Sequence, residues 1–167
     1  RLLVWYWLPE SFADENADKA PYRRWESEGV LRLIPGDTID HEFLRPELLE
    51  IIRKFRPKEI AFDKTFAEQL TADLERQTNI VRVQFPQTPL HFTSPCGDFE
   101  RFLLERKIQH NGHPVLTWQA GHICLDRNTR TNLVRPVKPK TGGEHLTIDG
   151  IVACVMATSR VLCAPKR

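Results

Sequence analysis

Short apolar segments alternate with segments of helical periodicity along this sequence, and that order constrains the fold more than any other feature. Residues 2–8, 30–34 and 59–62 are apolar runs of strand length. Between the second and third runs, apolar residues recur at the i, i+4, i+7 and i+8 spacing of one helical face: Leu44, Leu48, Ile51, Ile52 and Phe55. Strands and helices in alternation predict an α/β fold in which at least part of the sheet is parallel.

The remaining elements follow from the same criteria. Residues 10–29 are polar and irregular, and we expect Pro21, Tyr22 and Trp25 to anchor them. Residues 80–85 alternate apolar and polar side chains, which predicts a half-exposed strand. Helices are predicted around residues 66–74, 99–103 and 148–156, and residues 108–137 are interpreted as a β excursion with turns near 111–112 and 127–128.

Length and composition are those of one globular domain spanning residues 1–167. Apolar residues make up 41% and charged residues 28%, which excludes a disordered chain. No apolar run approaches the roughly 20 residues of a membrane span, and the first residues lack the features of a signal peptide. The scattered cysteines indicate reduced thiols in a cytosolic protein, most of them packing residues such as Cys124 and Cys154.

Two carboxylates stand out by position. Asp63 ends an apolar strand, where functional residues of α/β folds collect, but it is equally suited to cap the following helix. Asp149 precedes the apolar face of the last helix, where an acid is favoured by about 0.3–1 kcal/mol through the helix dipole. Gly150 beside it lowers helix propensity by about 1 kcal/mol relative to alanine, so we expect another group to approach closely there. If the two carboxylates meet, they suit Mg²⁺ or Mn²⁺.

A basic segment precedes the second carboxylate. Arg127, Arg130, Arg135, Lys138 and Lys140 occur without an acidic residue between them. Net charge is only +2, so bulk charge does not indicate a nucleic-acid partner, but a local cluster of this kind can contact phosphates. A solvated loop is the alternative interpretation.

Two other groups of residues have both a structural and a functional interpretation. His110, His113, His122 and Cys124 are possible zinc ligands. Their spacing lacks the close pairs that structural zinc sites show, so a turn at His113 is the favoured interpretation. The tryptophans are expected to fill the core rather than to stack on bases: Trp5, Trp7, Trp25 and Trp118.

Several motifs occur in the order found in a known family. They are WLP at 7–9, Pro21, Tyr22, Trp25 and Gly29, PG at 35–36, Ile39 and Asp40, IAFD at 60–63, FERFL at 99–103, His110, HPVL at 113–116, Trp118, Lys138 and Lys140, and IDGIVA at 148–153. In this ordered set the chain resembles the C-terminal nuclease domain of the large terminase subunits of tailed phages and prophages. The resemblance covers nearly the whole sequence.

The resemblance implies an RNase H-like (retroviral-integrase-like) fold, a mixed β-sheet flanked by helices. It implies an endonuclease of a viral DNA-packaging motor that cuts double-stranded concatemeric DNA at the start and end of packaging. Asp63 and Asp149 would be catalytic ligands of a two-metal Mg²⁺ or Mn²⁺ site, and Arg135, Lys138 and Lys140 would contact DNA. The implied partners are the portal protein and the small terminase subunit, and the implied location is the cytoplasm of a bacterial host.

The family's first acidic residue lies on a strand upstream of the segment matched by residues 2–8. We therefore expect the first strands of the fold, the third acid and the ATPase domain to lie outside this chain. A catalytically incomplete module that binds DNA or the portal, or a prophage remnant, is the alternative hypothesis.

Overall fold

The computed structural model describes residues 1–141 and 146–163, which form six short strands and seven helices. The strands are β1 (Trp7–Pro9), β2 (Arg32–Ile34), β3 (Glu59–Phe62), β4 (Val81–Gln84), β5 (Cys124–Arg127) and β6 (Val134–Val137). The helices are α1 (Glu10–Glu15), α2 (Tyr22–Ser27), α3 (His41–Phe55), α4 (Lys64–Thr78), α5 (Pro89–Leu104), α6 (Pro114–Ala120) and α7 (Asp149–Cys163).

The strands pair in both directions. β1 and β2 are parallel, as are β3 and β4, whereas β5 and β6 form an antiparallel hairpin. These pairings confirm the predicted α/β class with parallel pairs. In the described residues the ladders are three separate pairs rather than one continuous sheet. β1 and β3 are related by side-chain packing, since Trp7 and Ile60 lie against the same apolar cluster.

The two long helices that follow β2 and β3 begin and end in the same way. Asp40 caps α3 by accepting a hydrogen bond from the backbone N–H of Glu42 (2.9 Å). Asp63 caps α4 in the same manner. Each helix ends at a left-handed residue, Arg56 or Asn79, whose backbone N–H bonds to the last turn. The N-cap side chain and the C-terminal residue in left-handed conformation fix the residues at which each helix begins and ends.

Three apolar clusters hold these elements together. The cluster beneath α5, α6 and α7 contains Phe85, Phe92, Cys96, Phe99, Leu116, Ile151, Cys154, Val155 and Met156. An aromatic cluster beside β1 contains Ala13, Ala20, Tyr22, Trp25, Leu31, Leu33 and Val115. A third cluster, between α3 and α4, contains Leu44, Leu49, Leu70, Leu74 and Ile80. The predicted apolar face of the last helix is therefore confirmed.

The prediction of a β excursion over residues 108–137 is wrong in its first half, which contains α6. Pro114 stands at the first helical position, where its missing N–H is no loss. Val115, Leu116 and Gln119 are buried at helical spacing. The helix is shorter than the window in which periodicity is usually recognised, and the neighbouring turn at Gly112 favoured the wrong interpretation. The second half is the predicted β structure, the hairpin β5–β6.

The strand predicted over residues 2–8 is shorter in the structure. Its ladder covers only Trp7–Pro9, because the neighbouring β2 has three residues. Trp5 is 44% exposed and its ring packs edge-on against the exposed Phe55, so this tryptophan is not a core residue. Residues 10–29, expected to be irregular, contain α1 and α2, and their predicted anchors Tyr22 and Trp25 are buried.

Cys124 is exposed at the start of β5, so the prediction that it packs was wrong, whereas Cys154 is buried as expected. Within residues 1–141 and 146–163, no helix has the length and apolar character needed to cross a membrane.

A carboxylate cleft as candidate active site

Asp63 and Asp149, far apart in the sequence, line one cleft of about 340 Å³ between α4 and α7. Its floor is formed by β3, and its walls are largely apolar. The wall residues are Leu48, Ile60, Ala61, Phe62, Phe66, Ala67, Leu70, Leu74, Val152, Ala153 and Met156. The structure thus brings the two predicted acids to the same surface depression, at the carboxyl end of a strand where such sites are expected.

Asp63 serves the helix and faces the cleft at the same time. It follows the last residue of β3, and its Oδ1 accepts a hydrogen bond from the backbone N–H of Thr65 (3.0 Å). Within the described part of the chain no hydrogen-bond donor reaches Oδ2. The side chain is half-buried. The sequence left a cap and a ligand as equal alternatives, and the geometry is compatible with both because each uses a different oxygen.

Asp149 lies in the first turn of α7, with its side chain exposed at the cleft. The turn is anchored on both sides of it. Ile148 is buried and accepts the first helical bond from Val152 (3.0 Å). The backbone N–H of Gly150 donates to Oε1 of Gln119 on α6 (2.8 Å).

A polar group of four residues, Tyr6, Gln119, Thr147 and Gly150, supports this turn; Gln119 is buried and the other three are half-buried. The amide of Gln119 also donates to Oγ1 of Thr147 (2.9 Å), and the Tyr6 hydroxyl lies 3.5 Å from Oε1. A Cβ on Gly150 would overlap the Tyr6 hydroxyl and lie 2.6 Å from Oε1 of Gln119. The close approach expected at this glycine is therefore confirmed.

Tyr6 is electrostatically coupled to the candidate site. Burial raises the pKa of its hydroxyl well above the ordinary value, and the charges of Cys154 and Asp149 raise it further. The hydroxyl therefore stays protonated and neutral across the physiological pH range. It provides a dipole next to Asp149 without adding a charge.

No lysine or arginine of the described residues forms an ion pair with Asp63 or Asp149. The carboxylate of Glu59, on β3, does form an ion pair. Arg160 of α7 pairs with Glu59 at the beginning of that strand (2.5 Å), which is the end away from Asp63. This hydrogen bond lowers the pKa of Glu59. The basic side chain that α7 presents to β3 is thus used away from the cleft, and the cleft keeps two carboxylates without a cationic partner.

The predicted DNA-contacting residues lie on and after the hairpin. Arg135 in β6 is exposed and stands 3.6 Å from the carboxylate of Asp126, its partner across the ladder. Lys138 and Lys140 follow β6 and are exposed. In residues 1–141 and 146–163, neither lysine is in an ion pair. Both ammonium groups are therefore available to an anion, whereas the charge of Arg135 is partly neutralised.

The zinc alternative gains no support from geometry. His113 is buried against the ring of Tyr6 (5.1 Å between centroids), and burial lowers its pKa, whereas Cys124 is exposed on the hairpin. The searched part of the chain contains no group of three or more histidine, cysteine, aspartate or glutamate side chains that could hold a metal ion. What the cleft offers is a pair of carboxylates, and Mg²⁺ is often bound by one or two carboxylates with water and phosphate completing its shell.

Sequence reasoning missed Tyr6 and Gln119, which have the most direct influence on Asp149. Tyr6 lies in the predicted apolar strand and Gln119 in the predicted β excursion, and neither carries a charge. The glycine after Asp149 was the one available signal, because it indicated a close neighbour without naming it. Phe66 lies in the predicted helix but is 77% exposed at the edge of the cleft.

An α/β domain with unpaired carboxylates at the end of a strand belongs to a broad class of folds suited to hard cations. Comparison with known proteins identifies the family. Residues 7–164 match the family described as the terminase large subunit, endonuclease domain. The chain belongs to this family.

The relatives agree with that assignment. The chain is 30% identical over 155 residues to the large terminase subunit of Enterobacteria phage HK97, covering 91% of the chain and 30% of that protein. It is 25% identical over 170 residues to protein YmfN of Escherichia coli (strain K12), covering 96% and 36%. The crystal structure of the HK97 bacteriophage large terminase is similar, with a TM-score of 0.78 and 28% identity over 92% of this chain and 32% of that one. The chain spans about a third of the length of these curated relatives.

Proposed function

We propose that this chain is a metal-dependent endonuclease domain, with an RNase H-like fold, of a viral DNA-packaging motor. Its substrate would be double-stranded concatemeric DNA, cut at the start and end of packaging in the cytoplasm of a bacterial host. The portal protein and the small terminase subunit would be its partners. Membership in the terminase endonuclease family supports the reaction class.

The observation that carries the proposal is the pair of unpaired carboxylates in one cleft. Asp63 keeps Oδ2 away from its helix cap, and Asp149 projects from the start of α7. Two carboxylates in a partly apolar cleft repel each other unless a cation lies between them. The absence of lysine or arginine partners among the described residues leaves that role to a cation from solution.

Asp63 and Asp149 would hold Mg²⁺ or Mn²⁺, and bound metal would supply activation of water and stabilisation of the leaving oxygen of a phosphodiester. The protein's own contribution is orientation. The cap fixes Asp63, and the polar group around Gln119 fixes the turn that carries Asp149. Lys138 and Lys140, with a smaller contribution from Arg135, would hold the DNA backbone, because their charges are exposed beyond the hairpin.

Asparagine at position 63 separates the two roles of that residue. Asn caps helices about as well as Asp, so Asp63→Asn should change stability by only a few tenths of a kcal/mol, whereas Asp63→Ala should cost about 1 kcal/mol. Both variants should lose Mn²⁺ binding in calorimetric titration and Mn²⁺-dependent cleavage of plasmid DNA. Asp40→Asn is the matched control, since Asp40 caps α3 with the same geometry and does not line the cleft.

The result that contradicts the proposal is Mn²⁺ binding by Asp63→Asn and Asp149→Asn at the affinity of the parent chain. Binding of metal and DNA without cutting would favour the alternative function, a catalytically incomplete module that binds DNA or the portal. The same cleavage assay on the chain extended upstream tests the expectation of a third acid. Cleavage by the longer version alone would support that expectation.

A further inference from the structure

Gln119 lies behind the turn that carries Asp149 and is deeply buried, with 2% of its surface exposed. Its amide uses both of its ends on the segment that carries Asp149. Oε1 accepts from the backbone N–H of Gly150 (2.8 Å), and Nε2 donates to Oγ1 of Thr147 (2.9 Å). One side chain from α6 therefore holds the residues on both sides of the 148–149 pair.

This contact replaces a local helix cap. The first backbone N–H groups of a helix have no partner within the helix and need one from elsewhere. In α7 the N–H of Gly150 finds that partner on another helix, 31 residues away in the sequence. The first turn of α7 is therefore anchored by α6.

The space beside Gly150 is filled by neighbouring side chains. The Tyr6 hydroxyl and Oε1 of Gln119 occupy the place that a Cβ at position 150 would take. Tyr6 itself is held by its ring contact with the buried His113 (5.1 Å). Asp149 thus emerges from a turn whose backbone is enclosed on the side facing α6.

The chemistry of these supporting groups is also informative, because all are neutral. An amide, a threonine hydroxyl and a protonated phenol fix the backbone without neutralising the carboxylate. A lysine or arginine in the same place would form an ion pair with Asp149 and compete with a metal ion. Neutral supports preserve the negative charge on which cation binding depends.

We propose that Gln119, with Tyr6 packed beside it, is a positioning residue that holds Asp149 at the cleft. This inference rests on the proposed function, and its test distinguishes the failure of one from that of the other. Removal of groups that orient metal ligands typically weakens metal affinity by about 10–100-fold. Gln119 acts through the backbone, so we expect about 10-fold weaker Mn²⁺ binding in Gln119→Met, at the lower end of that range.

Thr93→Val is the matched control. Thr93 also ties a buried side-chain oxygen to a backbone N–H of another element, that of Val134 (2.8 Å), but does so at the hairpin and away from the cleft. Both variants lose a buried hydrogen bond and should lower the melting temperature. Only Gln119→Met should weaken Mn²⁺ binding, measured by calorimetry or by Mn²⁺ electron paramagnetic resonance.

Three outcomes decide the inference. Weaker binding in Gln119→Met alone supports it. Equal affinity in the parent, Gln119→Met and Thr93→Val overturns it, while loss of binding in Asp149→Asn leaves the proposed function intact. If the parent binds no Mn²⁺, the proposed function fails, and the Asp149 side-chain rotamer, measured by NMR scalar couplings, decides the positioning role. A single Asp149 rotamer in the parent and several averaged rotamers in Gln119→Met support the positioning role. Equal rotamer populations in the two proteins overturn it.

A second variant covers the case in which Gln119→Met does not fold. Thr147→Val removes only the acceptor that anchors the Gln119 amide and leaves its bond to Gly150 in place. Weaker Mn²⁺ binding than in Thr93→Val supports the inference, and equal binding overturns it.

Discussion

Replacing Gly150 by alanine gives the most direct test of the geometry at the start of α7. Alanine favours a helix over glycine by about 1 kcal/mol, so at an unobstructed position the change would stabilise the protein. At Gly150 the new methyl group would overlap the Tyr6 hydroxyl and lie 2.6 Å from both the Tyr6 Cζ and Oε1 of Gln119. Overpacking of this kind costs about 1–3 kcal/mol.

The upper end of that range applies, because the overlap involves two neighbours that are both held in place. An overpacking cost of about 3 kcal/mol, offset by about 1 kcal/mol of helix propensity, leaves Gly150→Ala less stable by about 2 kcal/mol. For a domain of this size, that loss lowers the melting temperature by about 4–8 °C. Thermal and urea unfolding followed by circular dichroism measure both quantities.

Gly97 provides the matched control within the same protein. It lies in α5 and is exposed, and a Cβ built there meets nothing within 4 Å. Gly97→Ala should therefore raise the free energy of unfolding by up to about 1 kcal/mol. Opposite signs for the two substitutions are the expected result. A melting temperature that rises in Gly150→Ala as it does in Gly97→Ala would refute the close packing described here.

Two further predictions concern charge. The pKa of Glu59 is lowered by its hydrogen bond to Arg160. The contribution of this pair to the free energy of unfolding is therefore complete above the unfolded-state pKa of about 4.3, and it is lost as pH falls through the folded-state pKa. Arg160→Met should thus cost about 1 kcal/mol near neutral pH and progressively less in acid, and a difference in unfolding free energy that stays constant with pH would contradict the assignment. When the logarithm of DNA affinity is plotted against the logarithm of salt concentration, Lys138→Ala and Lys140→Ala should each make the slope shallower by about 1. Lys58→Ala, directly before β3, should leave the slope unchanged.

The sequence was sufficient to predict the α/β class and to name the two acidic residues of the candidate site. The position of Asp63 followed from an apolar run ending in an acid, because the strand and its cap are local features. Asp149 was placed by the apolar stripe of α7, which is also local. The sequence could not show whether the two residues share a cleft, since that depends on how α7 packs on β3.

The remaining features were beyond the sequence because they depend on contacts between distant segments. Gln119 meets Gly150 from 31 residues away, and its own helix was too short for periodicity to detect. Phe66 shows a second limit of periodicity. It has the spacing of a core residue, but its position in the first turn of α4 directs it past β3 into solvent, where it is 77% exposed. Periodicity identifies the face of a helix and does not indicate how far along the helix that face is covered.

The two carboxylates of the cleft are held by different means, and the difference has a physical reason. Asp63 is half-buried at the end of a strand, where one oxygen can satisfy a helix terminus and leave the other for the cleft. Asp149 is exposed, and no backbone group of its own turn restrains its carboxylate, so its orientation depends on the backbone beneath it. That backbone is fixed by neutral groups, which add rigidity without an opposing charge. If a cation binds between the two acids as proposed, the fixed backbones beneath them would reduce the part of the binding free energy that is spent on ordering the site.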